Sequence, residues 1–351
     1  MLKVYTDKSH YIRSNRKFLI DLLRPYIPSL SVGLADFSDF EIEIVENIEN
    51  SDICLLPLYW NYYLSTNKVV IANQFIEKAK IYNKKVLIGV SGDYFIPLPN
   101  CENIIGMYTS LYKSFFKSNY ISIPIIISDP LEFLKKQKPN DIKFNKTPVL
   151  GFCGHIDSSK IISILKMLRL IYKKILFYLK LDYNFYGPIL PATYLRRRVL
   201  DYLESSEKIN TLFVRRNKYQ AGVLKETNSF QIIKKEFYQN ILDTHYTICI
   251  RGTGNFSARF YETLALGRIP VFIDTDCVLP FNNVIDWEKH IIIIKEISEI
   301  EKKILDFHDS HTDSSIREVQ YKNRKLWKEY FSFKGAMRQL IFQLNKQLSL
   351  K

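Results

Sequence analysis

Apolar and polar positions fall along this chain in two alternating rhythms. Short runs of β-branched and aromatic residues at 2–5, 40–45, 52–57, 85–90, 104–108 and 121–127 read as strands. Between them, 15–23 and 68–82 carry apolar residues at helical spacing. Such alternation predicts an α/β domain. The stretch 128–147 is polar and proline-bearing, with Lys135-Lys-Gln-Lys-Pro-Asn140 near its centre, and reads as a linker. A second α/β series opens at 148–153 and continues through 210–215, 246–250, 269–273 and 291–294, with helices between. Helices follow from 314 onward. The pattern predicts domains at 1–140 and 148–312 and a helical tail at 313–351.

The most informative stretch lies inside the second series. Tyr246-Thr-Ile-Cys-Ile250 is a strand-like run, and Arg251-Gly-Thr-Gly-Asn255 is a turn in which glycine supplies positive φ or close approach to a ligand. Helical spacing then covers 257–266, with Phe260 and Leu264 on one face and Tyr261 and Ala265 beside them. Ser257 stands at the N-cap and Gly267 at the C′ stop. Loops at the carboxyl ends of strands are where open α/β sheets bind ligands. The amides of a helix N-terminus favour anions, and Arg251 adds a permanent charge able to grip phosphate oxygens bidentately. Glu262, one turn further on, can accept bonds from two ribose hydroxyls. An Arg251–Glu262 ion pair around an ordinary turn explains the same spacing. A dinucleotide fingerprint is a third reading. Gly252 and Gly254 match its first two glycines and Asp274 and Asp276 stand at a ribose acid's distance, but Ser257 takes the third glycine's place.

Taken whole, RGTGNFSARFYETLALGRIPVFIDTDCVLPF at 251–281, followed by Ile285-Asp286-Trp287, resembles the carboxyl-terminal signature of exostosin-type glycosyltransferases. Bacterial members of surface-polysaccharide synthesis look closest. Weaker echoes are LLPLYW at 55–60, SGDY at 91–94, GFCGH at 151–155, FH at Phe307 and His308, and NRKLWKEYF at 323–331. The resemblance implies an α/β, GT-B-like fold of two Rossmann-like domains facing a central cleft. The acceptor side would be 1–140 and the donor side 148–312, with C-terminal helices crossing back to the N-terminal domain. It implies a nucleotide-diphosphate sugar donor of UDP type, a saccharide acceptor, inversion at the anomeric centre, no cofactor and no bound metal. By its match to the family pattern, Arg251 contacts the donor diphosphate. The backbone of Gly254, Asn255, Phe256 and Ser257 cradles that diphosphate, Arg259 joins the donor site, and Glu262 holds the ribose.

Inversion needs a carboxylate or histidine to take the acceptor's proton. In GT-B enzymes that group usually comes from the amino-terminal domain. Asp93, in Ser91-Gly92-Asp93 after a strand, is the candidate base, with Asp36 second; a turn-capping role also explains Asp93. Gly154-His155 follows a strand, so His155 is either a donor contact or a structural histidine. Arg215 and Arg216 end another strand and either add to phosphate binding or are solvated. Asp274 and Asp276 contact the sugar or cap the turn toward Cys277.

Composition narrows these readings. At 351 residues, 47% of them apolar, the chain has room for two ordinary domains with a substantial core. The 23 tyrosines and 23 phenylalanines suit sugar stacking, but most belong to the core. Cys54, Cys101, Cys153, Cys249 and Cys277 form no CxxC pair and fit reduced thiols better than a disulfide framework. Cysteines and histidines show no metal-binding spacing. The opening residues read as a strand, not as a secretory signal, and no apolar run spans a bilayer. Beside membrane-anchored animal exostosins, this implies a cytoplasmic enzyme.

A net charge of +14 requires an anionic partner: the donor, a membrane surface or nucleic acid. No basic reading motif or aromatic RNA platform accompanies it, so nucleic-acid binding is not expected. An NAD-dependent enzyme remains as the reading of the incomplete fingerprint. The helical stretch 161–181 sets Lys166, Arg169, Lys173 and Lys180 on one face with Lys174 beside it. The preferred reading is a helix covering a sheet with its basic face solvated. The alternative is an amphipathic helix on the cytoplasmic face of the inner membrane, beside a lipid-linked acceptor.

Overall fold

The computed structural model describes residues 1–22, 42–156, 159–222 and 227–349. The chain folds into two compact units. One comprises Met1–Pro124, Val278–Phe281 and Ala336–Lys351, the other Ile125–Cys277 and Asn282–Gly335.

The first unit is built on six parallel strands: β1 (Leu2–Tyr5), β2 (Ile42–Val45), β3 (Ile53–Leu55), β4 (Val86–Val90), β5 (Ile104–Tyr108) and β6 (Tyr120–Ser122). Their order is β2-β1-β3-β4-β5-β6. Every residue of β3, β4 and β5 is buried. Full burial is why these strands read as unbroken apolar runs. Strand β6 is shorter than the run at 121–127; its ladder closes where Ile123 N–H donates at 2.8 Å to the carbonyl of Tyr108, the last residue of β5. Helices α1 (Trp60–Ser65) and α2 (Val69–Ile81) follow β3.

The helix expected at 15–23 is absent among the described residues. A 3₁₀ segment covers Arg13–Phe18, and Leu19 forms an antiparallel bridge with Leu58. Ile20 N–H donates to Pro57 O at 3.1 Å and Tyr59 N–H to Phe18 O at 2.8 Å, so this backbone bonds across the chain instead of along a helix.

The second unit carries five parallel strands, β7 (Val149–His155), β8 (Asn210–Arg216), β9 (Tyr246–Cys249), β10 (Ile269–Ile273) and β11 (Ile292–Ile294), in the order β11-β10-β9-β7-β8. Helices α4 (Lys160–Tyr178), α5 (Ala192–Glu204), α6 (Asn228–Leu242) and α7 (Ala258–Ala265) fall between them. Helices α8 (Ile300–Asp309) and α9 (Asp313–Leu326) follow. Leu150, Phe152, Val199, Leu203, Ile248 and Val271 are among the residues of a core spanning β7, α5, β9 and β10.

Residues 125–147 belong to this unit. Asp129 caps α3 (Pro130–Phe133) by accepting from Leu131 N–H at 3.0 Å, and Arg324 Nη1 holds Asp129 Oδ1 at 2.9 Å. Leu131 is buried with Tyr238, Ile241, Leu242 and Leu266.

Helix α7 ends as its sequence predicts. Gly267 has φ +62°, its N–H donates to Leu264 O at 2.9 Å, and Arg268 N–H donates to Thr263 O at 2.9 Å. This is the Schellman pattern, which favours glycine at C′. The last helix, α10 (Phe333–Ser349), joins the first unit from Ala336 on. Its Leu340 and Leu344 are fully buried, and Gln347 Nε2 donates to Ser118 O at 2.7 Å. Both units are thus Rossmann-like α/β, the class the alternating pattern predicted.

Candidate functional site

Strand order locates the crevice. In the second unit the order reverses between β7 and β9, and such a reversal opens a crevice outside the carboxyl ends of the two strands. Strand β7 ends at His155, and β9 leads directly into Ile250 and Arg251. The loop 251–257 and the start of α7 therefore lie where an open α/β sheet binds its ligand.

Arg251 is 5% exposed at the floor of this crevice. Its Nη2 donates to Leu190 O at 2.7 Å and its Nη1 to Gly252 O at 3.1 Å. Both of these acceptors are backbone carbonyls, and the bonds hold the side chain in place. Gly252 N–H donates to Phe256 O at 3.0 Å, closing the loop on itself. Gly252 and Gly254 do not have positive φ. A Cβ on Gly252 would meet Phe256 O at 4.0 Å, so contacts within the chain leave room for a side chain there. Asn255 is buried; its Oδ1 accepts from Thr275 Oγ1 at 2.9 Å and its carbonyl accepts from Cys277 Sγ at 2.9 Å. The loops after β9 and β10 are thereby tied together. Ser257 has N-cap backbone geometry, but its hydroxyl makes no capping bond.

A second arginine of the signature does different work. Arg259 points inward from α7, its Nη2 donating to Cys153 O at 2.7 Å and its guanidinium lying 4.1 Å over the Phe152 ring. It braces β7 from within the core. Glu262, half-buried on the same helix, accepts from Tyr238 OH at 3.5 Å. Burial pushes its carboxyl up to about 7, against the charges of Arg259 and Lys234 and the Tyr238 hydroxyl.

Spacing did not single out Arg196. On α5, it donates from Nη1 to His155 O at 3.2 Å and from Nη2 to Arg251 O at 2.8 Å. One guanidinium thus spans the ends of both strands that flank the crevice. In sequence it is one of three consecutive arginines, and only the sheet order distinguishes it.

Arg215, expected at the donor, lies on β8 and pairs with Asp201 Oδ1 at 2.6 Å and Glu204 Oε2 at 2.5 Å on α5. Arg216 faces α6, pairing with Glu236. Asp274 accepts from Cys277 N–H at 3.0 Å, the capping role foreseen as its alternative. Asp93 is exposed in the loop after β4, and Asp36 lies outside the described residues.

The first unit has its own reversal, between β1 and β3. A cavity of about 210 Å³ opens there, lined by Tyr5, Asp7, His10, Tyr63, Gln74, Phe75 and Lys78 among others. Asp7 Oδ2 lies 3.4 Å from His10 Nδ1. Lys78 Nζ donates to Tyr5 OH at 3.2 Å, and the Tyr5 and Phe75 rings are parallel at 6.1 Å. Burial alone would raise the Asp7 carboxyl; hydrogen bonds from Ser9 and the charges of His10 and Lys78 bring it below its ordinary value. A larger cavity of about 940 Å³ sits at the opposite, amino ends of these strands, lined by Leu2, Asp52, Lys84 and Asn345 among others. It is removed from the end of the sheet where such folds bind ligands. Among the described residues, no three His, Cys, Asp or Glu side chains are grouped to hold a metal ion.

Residues 192–305 match the exostosin GT47 domain. Over 110 residues the chain is 26% identical to human exostosin-2, covering 31% of this chain and 15% of that protein. Over 60 residues it is 33% identical to a probable glucuronosyltransferase of Oryza sativa subsp. japonica, covering 17% of this chain and 14% of that one. The chain thus spans about one-seventh of the length of these relatives. Among solved structures, a glycosyltransferase from Rickettsia africae is similar at TM-score 0.38 and 12% identity, covering 100% of this chain and 99% of that one. The Anabaena HepE protein, solved with UDP and glucose, is similar at TM-score 0.36 and 9% identity, with 100% of both chains covered. Residues 192–305, from the start of α5 into α8, thus carry both the similarity to the exostosin GT47 domain and Arg196, Arg251 and Glu262.

Proposed function

We propose that this protein is a glycosyltransferase that moves a sugar from a nucleotide-diphosphate donor to a hydroxyl of a saccharide acceptor. The reading extends to bacterial surface-polysaccharide or lipopolysaccharide synthesis, with inversion, without a bound metal or cofactor, and with UDP as the carrier. The observation that carries it is the position of the exostosin-type loop 251–257. It occupies the strand-order reversal of the second sheet, with a buried arginine at its start and a half-buried glutamate on the helix behind it.

In this reading Arg251 binds the diphosphate, which would otherwise leave a doubly charged group to the amides of α7 alone. The backbone of 254–257 lies against the phosphates, and Glu262 accepts the ribose hydroxyls. Arg196 and Arg259 hold the strand ends that aim this loop; neither needs to touch the donor. In the first unit, Asp93 is assigned as the base. Asp7 with His10 is the second candidate, supported by the cavity that the pair lines and by a charge balance that keeps Asp7 ionised.

Isothermal titration with UDP, a UDP-sugar and NAD tests the reading. UDP binds, NAD does not, and Arg251→Ala weakens UDP roughly ten- to hundredfold. Binding of NAD in preference to UDP refutes the transferase reading. An Arg251→Ala protein of undiminished affinity refutes the role of that residue.

A further inference from the structure

Helix α4 does not cover the sheet. Of its 19 residues, Ser163 alone is buried. Ile161, Leu165, Leu168, Tyr172, Ile175 and Leu179 recur every three or four residues and form one stripe, each of them 51–71% exposed. Ile164, Ile171 and Tyr178 widen the stripe and are also exposed. Together these nine side chains leave on the order of 1,000 Å² of apolar surface open, beyond the few hundred Å² of an ordinary soluble surface.

The helix is anchored by its narrower opposite face. Phe177 packs against Phe185 at 5.3 Å between ring centroids, Lys174 Nζ lies 5.6 Å over the Phe185 ring, and Lys173 Nζ binds Asp182 Oδ2 at 3.2 Å. Ser159 caps the start, its hydroxyl accepting from Ile162 N–H at 3.4 Å. The expected orientation is therefore inverted: the apolar stripe faces outward, and Lys166, Lys173 and Lys174 are half-buried on its flank.

Charge identifies what covers the stripe. Lys160 to Leu181 contains six cations (Lys160, Lys166, Arg169, Lys173, Lys174 and Lys180) and no carboxylate. Two copies of the chain apposed through this face would bring two rows of cations together. An acidic lipid surface instead receives the apolar stripe below its headgroups and the flanking lysines and arginine at them. Among the described residues no helix is long and apolar enough to cross a membrane, so α4 would lie along the surface.

We propose that α4 docks this protein on an anionic phospholipid membrane, with Leu165, Leu168, Tyr172 and Ile175 inserted and Arg169 and Lys180 at the headgroups. The docking is independent of the nucleotide chemistry proposed above, so either reading can fail without the other. The test is co-sedimentation of the whole protein with phosphatidylcholine vesicles, with and without roughly one-third phosphatidylglycerol. The protein sediments with the acidic vesicles, less with the neutral ones, and less again at high salt. Leu168→Glu combined with Ile175→Glu reduces binding at least about tenfold while the melting midpoint and UDP affinity hold. Because both side chains are already exposed, these changes do not unfold the helix; circular dichroism checks this. Arg169→Glu with Lys180→Glu, which leaves the apolar stripe intact, also lowers binding to acidic vesicles. Binding that survives Leu168→Glu with Ile175→Glu overturns the proposal. So does a dimer in light scattering that these substitutions abolish, with no vesicle binding by the parent protein.

Discussion

Replacing Glu262 by glutamine should make the protein's stability respond to pH in a way fixed by sign and window. Burial raises the Glu262 carboxyl from an ordinary 4.5 to about 7. The folded chain therefore holds a proton that the unfolded chain releases. The associated stability is fully present below pH 4.5 and is lost as pH rises through 7. A displacement of this size corresponds to about 3 kcal/mol, since each pH unit is worth about 1.4 kcal/mol. His245 acts in the opposite sense. Burial holds it down at about 4 from 6.5, with the charge of Arg268 as the next cause, so its contribution is present above pH 6.5 and is lost as pH falls through 4. The two windows overlap and mask each other in the parent protein. Glu262→Gln keeps the shape and the bond from Tyr238 and leaves His245 in place, so subtracting the two curves isolates the carboxylate. Urea unfolding measured from below pH 4.5 to above pH 7 should show the variant gaining roughly 3 kcal/mol on the parent across that interval. A difference curve that stays flat would mean that the carboxylate is solvated in the folded chain and that burial does not shift its titration.

Two further outcomes follow from particular contacts. A Cβ at Gly154 would stand 2.5 Å from Arg259 Nη2, where Phe152 leaves the guanidinium little freedom to retreat. Gly154→Ala should cost about 1–3 kcal/mol in urea unfolding; an unchanged midpoint would show that Arg259 has room to move. Arg215 is occupied by Asp201 and Glu204 on a partly exposed face. Arg215→Ala should cost under ~1 kcal/mol and leave UDP affinity within about twofold, whereas a loss beyond about tenfold would return Arg215 to the donor site.

How legible the molecule was in its sequence depended on whether a residue's partner was local. Strands β5 and β10 stood out nearly to the residue, because a strand buried on both faces is an unbroken apolar run. The stop of α7 at Gly267 was equally local. The misread stretch at 15–23 has helical spacing, but its backbone bonds to residues 57–59, and spacing carries no record of a partner so far along the chain. Arg251 and Arg259 lie two turns of chain apart in one signature. Spacing could not tell that one stands at a strand end while the other turns into the core against Phe152. Arg196 and the Asp7–His10 pair acquire meaning only from strand order, which brings β7 beside β9 and β1 beside β3. For α4, the periodicity was visible but not the direction its apolar stripe faces, since a stripe suits a sheet or a bilayer equally well.

The division of the chain has a bearing on its synthesis. The first unit draws on three separate stretches, and Ala336–Lys351, which contributes the buried Leu340 and Leu344, emerges from the ribosome only after all of the second unit. The six-stranded sheet must therefore wait, with the faces that Leu340 and Leu344 will seal still wet, while more than half of the protein is translated. The second unit, whose sheet and core come from one nearly continuous stretch, can condense first. Translation order and folding order would then be reversed, and a nascent chain stalled just before α10 would be the form most exposed to chaperones and proteases.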